Sequence, residues 1–422
     1  MEKFFWPLGI EEYENLIGAD AVERIVQKAK RLHGLRVINV SSTFYGGGVA
    51  EILSSLTLLQ RALGIQADWR LIQGSPDFFS VTKKLHNALQ GGEINMTDLK
   101  RQIYEQVVLD NALRMDLEAD FVVVHDPQPL PLINHFRRTC PWVWRCHVDL
   151  SAPNPEAWTY VRGFVDQYDA VIVSMPEYAQ DLAVPQMFFM PAVNPFSHKN
   201  RDLTEDEISD RLEHYGIPTD LPLVAQISRF DRWKDPEGVI KAFKLARREV
   251  EATLVLLGNV AADDPEGQAV FESLLACKEE RIIILTATDT ALVNALQRHA
   301  DVILQKSLRE GFGLTVTEAM WKGAVVIGGN CGGIRRQIDD GVNGFLVSSV
   351  EEAAKRIVQV LRDPMLRKAL GAKARDTVRQ HLLMSRLAEQ YLDLFAAFEP
   401  QFEMNSRHSP AASVPPHGGQ RT

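Results

Sequence analysis

Ten short apolar runs set what this chain can fold into, because stretches with apolar residues at helical spacing separate them. The first five are "LRVINVSS" (Leu35 to Ser42), "ADWRLIQ", "DFVVVHDP", "PWVWRCHVD" and "DAVIVSMP", each leaving into a polar or Pro-marked loop. The pattern then restarts with "LPLVAQISRF", "ATLVLLGN", "RIIILTA", "DVILQKS" and "AVVIGGN". The first of the ten reads as a buried strand, and the others are strand candidates of similar length. Strand and helix in alternation predict parallel sheets covered by helices on each side. The break falls at "MPAVNPFSHKNRDLTEDE", where two prolines and a charged stretch interrupt the periodicity. The expectation is α/β, with two doubly wound Rossmann-like domains facing across a cleft: residues 1–193 and residues 194–384. A chain of 422 residues suits two cores better than one. An amphipathic helix follows over 385–400, within "SRLAEQYLDLFAAFE", and the polar, Pro/Gly-rich residues 401–422 read as a disordered tail.

Charge narrows the partners. With 46 basic against 55 acidic residues the net charge is −9, which argues against non-specific attraction to nucleic acid or an anionic membrane. No apolar run reaches the roughly 20 residues a membrane span needs. The start "MEKFFWPLGIEEYE" carries no signal-peptide pattern, so the expected location is cytoplasmic. Cys140, Cys146, Cys277 and Cys331 show no C-x-x-C pairing and read as buried reduced thiols, with Cys146 beside His147 as the one hint of a metal or nucleophilic site.

In open α/β sheets ligands sit beyond the carboxyl ends of the strands, so the loops there hold the candidate residues. The first, "STFYGGGVAEI", puts Gly46, Gly47 and Gly48 before a helix, where open backbone N–H groups suit an anion. A dinucleotide fold fits poorly: the spacing is not G-x-G-x-x-G, and Asp68 would open the second strand rather than close it. A tight turn without a ligand is the plainer alternative. The second loop, "SRFDRWKDPEG", places Arg229, Arg232 and Lys234 before a helix start at Asp235-Pro236. Cations at a strand end of an acidic protein favour a binding role, and Arg with Lys suits a diphosphate. The third, "SLREGFGLTVTEAM", brackets a glycine turn with Glu310 and Glu318. Eight residues are a little over two helical turns, about 12 Å of rise. With a helix starting near Gly313 or Leu314, Glu310 sits in the loop at its mouth. One acid near a sugar and one on a ribose is the functional reading; a dipole-balancing acid and an unrelated surface glutamate is the bland one.

Together these stretches resemble the retaining GT-B glycosyltransferases of family 4, from about Leu35 to about Phe395. The E-x7-E motif of Glu310 and Glu318, the basic loop "SRFDRWKDP" and "DGVNGFLV" (Asp340 to Val347) carry the resemblance. It implies that Glu310 contacts the transferred sugar, Glu318 binds the nucleotide ribose, and Arg229 with Lys234 holds the donor diphosphate. It implies a place beside that sugar for His147 in "RCHVDLS", otherwise a satisfied core histidine. Gly311, Phe312, Gly313 and Leu314, like Gly46 to Gly48, are then substrate- or nucleotide-binding. The helix over 385–400 is expected to cross back to the first domain. "YGGGVAE", "WRCHVDLS" and "GGIRRQI" (Gly332 to Ile338) are similar to the trehalose-forming glycosyltransferring synthases, which use a nucleoside-diphosphate glucose, ADP- or UDP-linked, and free glucose. Without a D-x-D motif no metal is required, Mg²⁺ being at most stimulatory, and a homodimer is open. The alternatives are trehalose phosphorolysis or another acceptor, a nucleotide-sugar epimerase, and a non-catalytic nucleotide-sugar binder.

Overall fold

The structure is a computed structural model and describes residues 9–44, 47–258 and 265–398. The tail expected over 401–422 and Gly46 of the glycine loop lie outside these residues. Among the described residues twelve strands form two six-stranded sheets. The first holds β1 (Arg36–Ser41), β2 (Gln66–Leu71), β3 (Phe121–His125), β4 (Trp142–Arg145), β5 (Ala170–Val173) and β6 (Gln186–Phe188). The second holds β7 (Leu223–Ile227), β8 (Thr253–Gly258), β9 (Ile282–Thr286), β10 (Val302–Gln305), β11 (Val325–Gly329) and β12 (Phe345–Val347). Every pairing is parallel, for instance Asn39 opposite Val123 and His125 opposite Arg145. The ten expected strands are present. The two beyond them, β6 and β12, are three-residue strands at sheet edges, too short to show a period.

Alternation along the strands builds three cores. In the first sheet Ile38, Val40, Val122, Val124 and Trp144 point to one face, among helices of their own half. Val37, Phe121, Val123 and Val143 point to the other, into a core shared with Ala225, Ile227, Val255 and Ile303 of the second sheet. Val224, Leu254, Leu256, Val302 and Leu304 fill the third, on the far side of the second sheet. Burial on both faces is why the inner strands β3, β4, β5, β7, β8, β10 and β11 are mostly apolar, while β2 and β9 keep half-exposed positions.

The helix Met384–Ala397 follows the second sheet in sequence and packs on the helices Ala19–Arg31 and Gly48–Ala62 of the first half. Phe395 meets Phe121 edge-on at 4.9 Å between ring centres, and Tyr391 meets Phe189 at 5.4 Å. Arg24 pairs with Glu389 at 2.7 Å, and Met384 N donates to Val193 O at 2.9 Å. All four cysteines are free; Cys146 is buried as expected, whereas Cys140, Cys277 and Cys331 keep partial exposure. Among the described residues no helix is long and apolar enough to cross a membrane.

Candidate active site

The second sheet runs β12-β11-β10-β7-β8-β9, so strand order reverses between β7 and β10 and a crevice opens outside their carboxyl ends. After β7 the chain turns through a 3-10 helix at Arg232–Lys234. Asp235 then takes a left-handed φ of 50° and caps the helix Pro236–Ala246, accepting from Gly238 N at 3.1 Å. The loop after β10 is stitched to this one. Leu308 N donates to Trp233 O at 2.8 Å, and Lys306 pairs with Asp235. The stitching sets the Lys234 ammonium against the Glu310 carboxylate, which also accepts from Ser307 Oγ at 3.3 Å. Gln226 Nε2 holds the Lys234 carbonyl at 2.7 Å.

The helix Leu314–Trp321 begins directly after this pair, behind Gly313 at φ 86°, and no side chain caps it. An uncapped helix start beside an ammonium is a place for an anion. Glu310 stands in the loop before that helix and Glu318 within it. Arg229 is not drawn into the same contact. Its side chain is 58% exposed and its partner is Asp231, at 3.6 Å. It faces His86 of the first half, whose pKa is pushed to about 4 by burial first and by the Arg229 charge second.

Glu318 departs from the expectation of an open ribose acceptor. It is 1% exposed, and one oxygen accepts from Lys199 Nζ at 2.7 Å. Lys199 also pairs with Glu51 at 2.8 Å, so it joins a helix of the first half to one of the second. Burial works to raise the Glu318 pKa, but Lys199 and Lys322 overcome it and hold the carboxyl below its usual range. Glu51 moves the other way, raised to about 7 by burial and then by the Glu318 charge. The second Glu318 oxygen is buried and has no hydrogen-bond partner among the described residues. Behind them Lys322 donates to Asn200 Oδ1 at 2.8 Å and Gln297 Oε1 at 2.6 Å. Burial among these neutral acceptors lowers its pKa to about 7.

The first sheet runs β2-β1-β3-β4-β5-β6, and its own reversal lies between β1 and β3. Gly47, at φ 87°, leads into the helix Gly48–Ala62. A Cβ on Gly48 would come within 2.9 Å of Leu314 Cδ1, so this loop reaches the start of the Glu318 helix. A Cβ on Gly311 would lie 2.7 Å from His147 O, which explains the glycine beside Glu310. His147 follows β4; its N–H donates to Asp126 Oδ1 at 2.8 Å and its ring meets His125. Tyr178 Oη donates to Gly311 O at 2.7 Å, and Arg336 pairs with Glu177, so the two halves grip each other around the Glu310 loop.

His147, Gly47, Gly48, Gly311, Phe312, Gly313 and Leu314 therefore gather with Lys234 and Glu310 along one seam. Glu318 lies behind them and Arg229 at the rim. Sequence reasoning missed Lys199, Glu51, His125 and Tyr178. Of these, His125 carried a signal in "HDP", a histidine and an acid at the end of β3, and Glu51 lies within "YGGGVAE". Among the described residues no group of three or more His, Cys, Asp or Glu is placed to hold a metal ion.

Residues 39–180 match the trehalose synthase N-terminal domain family, and residues 208–377 match glycosyl transferases group 1. The chain is 44% identical over 395 residues to a trehalose synthase of Pyrococcus horikoshii, covering 91% of this chain and 95% of the relative. A trehalose synthase of Rubrobacter xylanophilus is 38% identical, covering 92% and 96%. In fold the chain is similar to a UDP-forming α,α-trehalose-phosphate synthase of Burkholderia xenovorans, with a TM-score of 0.68 at 15% identity. That likeness covers 86% of this chain and 99% of the other.

Proposed function

Since the chain belongs to the trehalose synthase family of GT-B glycosyltransferases, we propose that it transfers glucose with retention from a nucleoside-diphosphate glucose to free glucose, reversibly, giving trehalose. The observation that carries this reading is the Lys234–Glu310 pair at the uncapped start of the helix Leu314–Trp321, with His147 across the seam. The donor diphosphate sits at that helix start, with Lys234 beside it and Arg229 reaching in from the rim. Fixed cations and N–H groups stabilise charge as the bond from the anomeric carbon to the diphosphate oxygen breaks. The acceptor's anomeric oxygen bonds to that carbon on the same face, and its proton passes to the departing diphosphate. A retaining glycosidase needs two carboxyl groups about 5–5.5 Å apart flanking the reacting carbon. Here Glu310 is held by Lys234 and Glu318 by Lys199, separately. Front-face transfer is therefore the preferred route. The protein's own cations neutralise the leaving group, so the mechanism assigns no metal a required role, with Mg²⁺ at most stimulatory.

Front-face transfer keeps the α configuration of the donor, and glucose bound as its α anomer gives α,α-trehalose. Proton NMR of the product from ADP- or UDP-glucose and glucose tests this. A β linkage overturns retention, a free reducing end overturns the trehalose assignment, and turnover with inorganic phosphate in place of nucleotide diverts the reading to phosphorolysis.

Glu318 has a ground-state role, with a ribose hydroxyl donating to its second oxygen, which has no hydrogen-bond partner among the described residues. Glu318→Ala is expected to raise the donor KM roughly 10- to 100-fold, the scale of a hydrogen bond to a charged group, while kcat stays near wild type. A kcat defect with donor affinity intact by calorimetry would contradict the ribose role.

A further inference from the structure

His125 and Asn39 lie on neighbouring strands at the carboxyl end of the first sheet, each 1% exposed. His125 Nε2 stands 3.0 Å from Asn39 Oδ1, and His125 Nδ1 stands 3.1 Å from His147 Nε2. The Asn39 amide nitrogen donates to Asp68 O at 3.4 Å, which turns its oxygen toward the histidine. An oxygen there accepts only, so His125 Nε2 carries a hydrogen. A neutral ring has one, which leaves His125 Nδ1 as a lone pair able to accept from His147 Nε2–H.

We propose that Asn39 and His125 form a buried relay that fixes His147 as its Nε2–H tautomer, leaving Nδ1 as a lone-pair acceptor for a hydroxyl of the transferred sugar. His125 is thus a positioning residue. The proposal deepens the reading of His147 as the residue beside the sugar. Its backbone is held too, by Asp126 Oδ1 on the N–H and by Gly311 against the carbonyl. The rings of His125 and His147 stack with centres 5.4 Å apart and planes 20° apart, so neither turns freely. The groups facing the pair are Arg145 on β4 and Asp126 after β3, with Gly311 offering only backbone from the other half. Burial, with Arg145 adding, pushes His125 down to about 3, and burial, Arg145 and His125 hold His147 well below its ordinary range. The relay is thereby neutral near physiological pH. His147 then serves as a fixed acceptor rather than as an acid or base.

The test reads ring nitrogens directly in the full chain labelled with ¹⁵N-histidine. Long-range ¹H–¹⁵N NMR is expected to show both rings as Nε2–H tautomers, unchanged from pH 5 to 8. Since no substrate is present, failure of the functional reading would not disturb this result. An Nδ1–H tautomer for His147, or its titration near 6.5, overturns the proposal. Asn39→Asp supplies a second measurement, because a carboxylate favours a doubly protonated His125 that donates from both nitrogens. His147 is then expected to switch to Nδ1–H, and kcat/KM for the donor to fall roughly tenfold, the scale of one positioned hydrogen bond. In His125→Phe, which keeps the stack but removes the acceptor for His147 Nε2–H, the same spectra are expected to show His147 as a mixture of Nε2–H and Nδ1–H forms. An unswitched His147 in Asn39→Asp, or a pure Nε2–H His147 in His125→Phe, counts against the relay in these folded variants.

Discussion

Replacing Lys234 with alanine is expected to lower turnover by roughly 10²–10³, the scale of removing one preorganised charge donor. Three contacts hold this ammonium in place. Its carbonyl is bound by Gln226, its 3-10 turn is closed by Asp231 accepting from Trp233 N at 2.8 Å, and its head meets Glu310. The pair is only 17% and 11% exposed. Removing the lysine therefore takes a cation from the leaving group and leaves a confined carboxylate facing it. The second effect opposes a diphosphate, so the loss falls on kcat as well as on donor affinity. Steady-state kinetics at saturating donor and glucose, with the fold checked by circular dichroism, decides it. Turnover within a few-fold of wild type would remove Lys234 from the diphosphate site. Arg229→Ala is expected to cost less, because that side chain is more than half exposed and pairs with Asp231.

Cutting the chain before Met384 is expected to abolish cooperative folding. The helix Met384–Ala397 buries Leu387, Tyr391, Leu392, Leu394 and Phe395, each 3% exposed or less. At about 1.5–3 kcal/mol for each large apolar side chain, the loss is on the order of 10 kcal/mol, comparable to the whole stability of an ordinary domain. It would also open the shared core at Phe121 and Phe189, which Phe395 and Tyr391 cover. Removing residues 401–422 should leave melting temperature and activity unchanged, since their polar, Pro/Gly-rich composition has little apolar surface to bury. Calorimetric scans of the two truncations discriminate, and equal tolerance of both would undo this account of the C-terminus.

The strands were legible because a parallel strand buried on both faces is apolar at nearly every position, as "FVVV" of β3 is before His125. Edge strands of three residues, Gln186–Phe188 and Phe345–Val347, carry no such run. The cap at Asp235-Pro236 and the glycine turn before Leu314 were legible too, because capping and positive φ are requirements of adjacent residues.

The sequence by itself thus determined the strand-and-helix alternation, the loops that leave each strand, and the acids and cations those loops carry. Local spacing and charge express all of these. The tertiary structure decided which of those side chains meet. Lys199 sits in a linker that showed only a broken period, yet it lies between Glu51 and Glu318, which are 267 positions apart, counting 318 minus 51. His125 is one buried histidine at the end of an apolar run until the pairing of β1 with β3 sets it beside Asn39, and β4 brings His147 to its other nitrogen. Tyr178 finds the Gly311 carbonyl only because the two halves pack against each other around the Glu310 loop. Such contacts leave no periodicity in the chain. Strand order and the shared core bring them together, and the cost of burying an unpaired charge or donor then selects the partners.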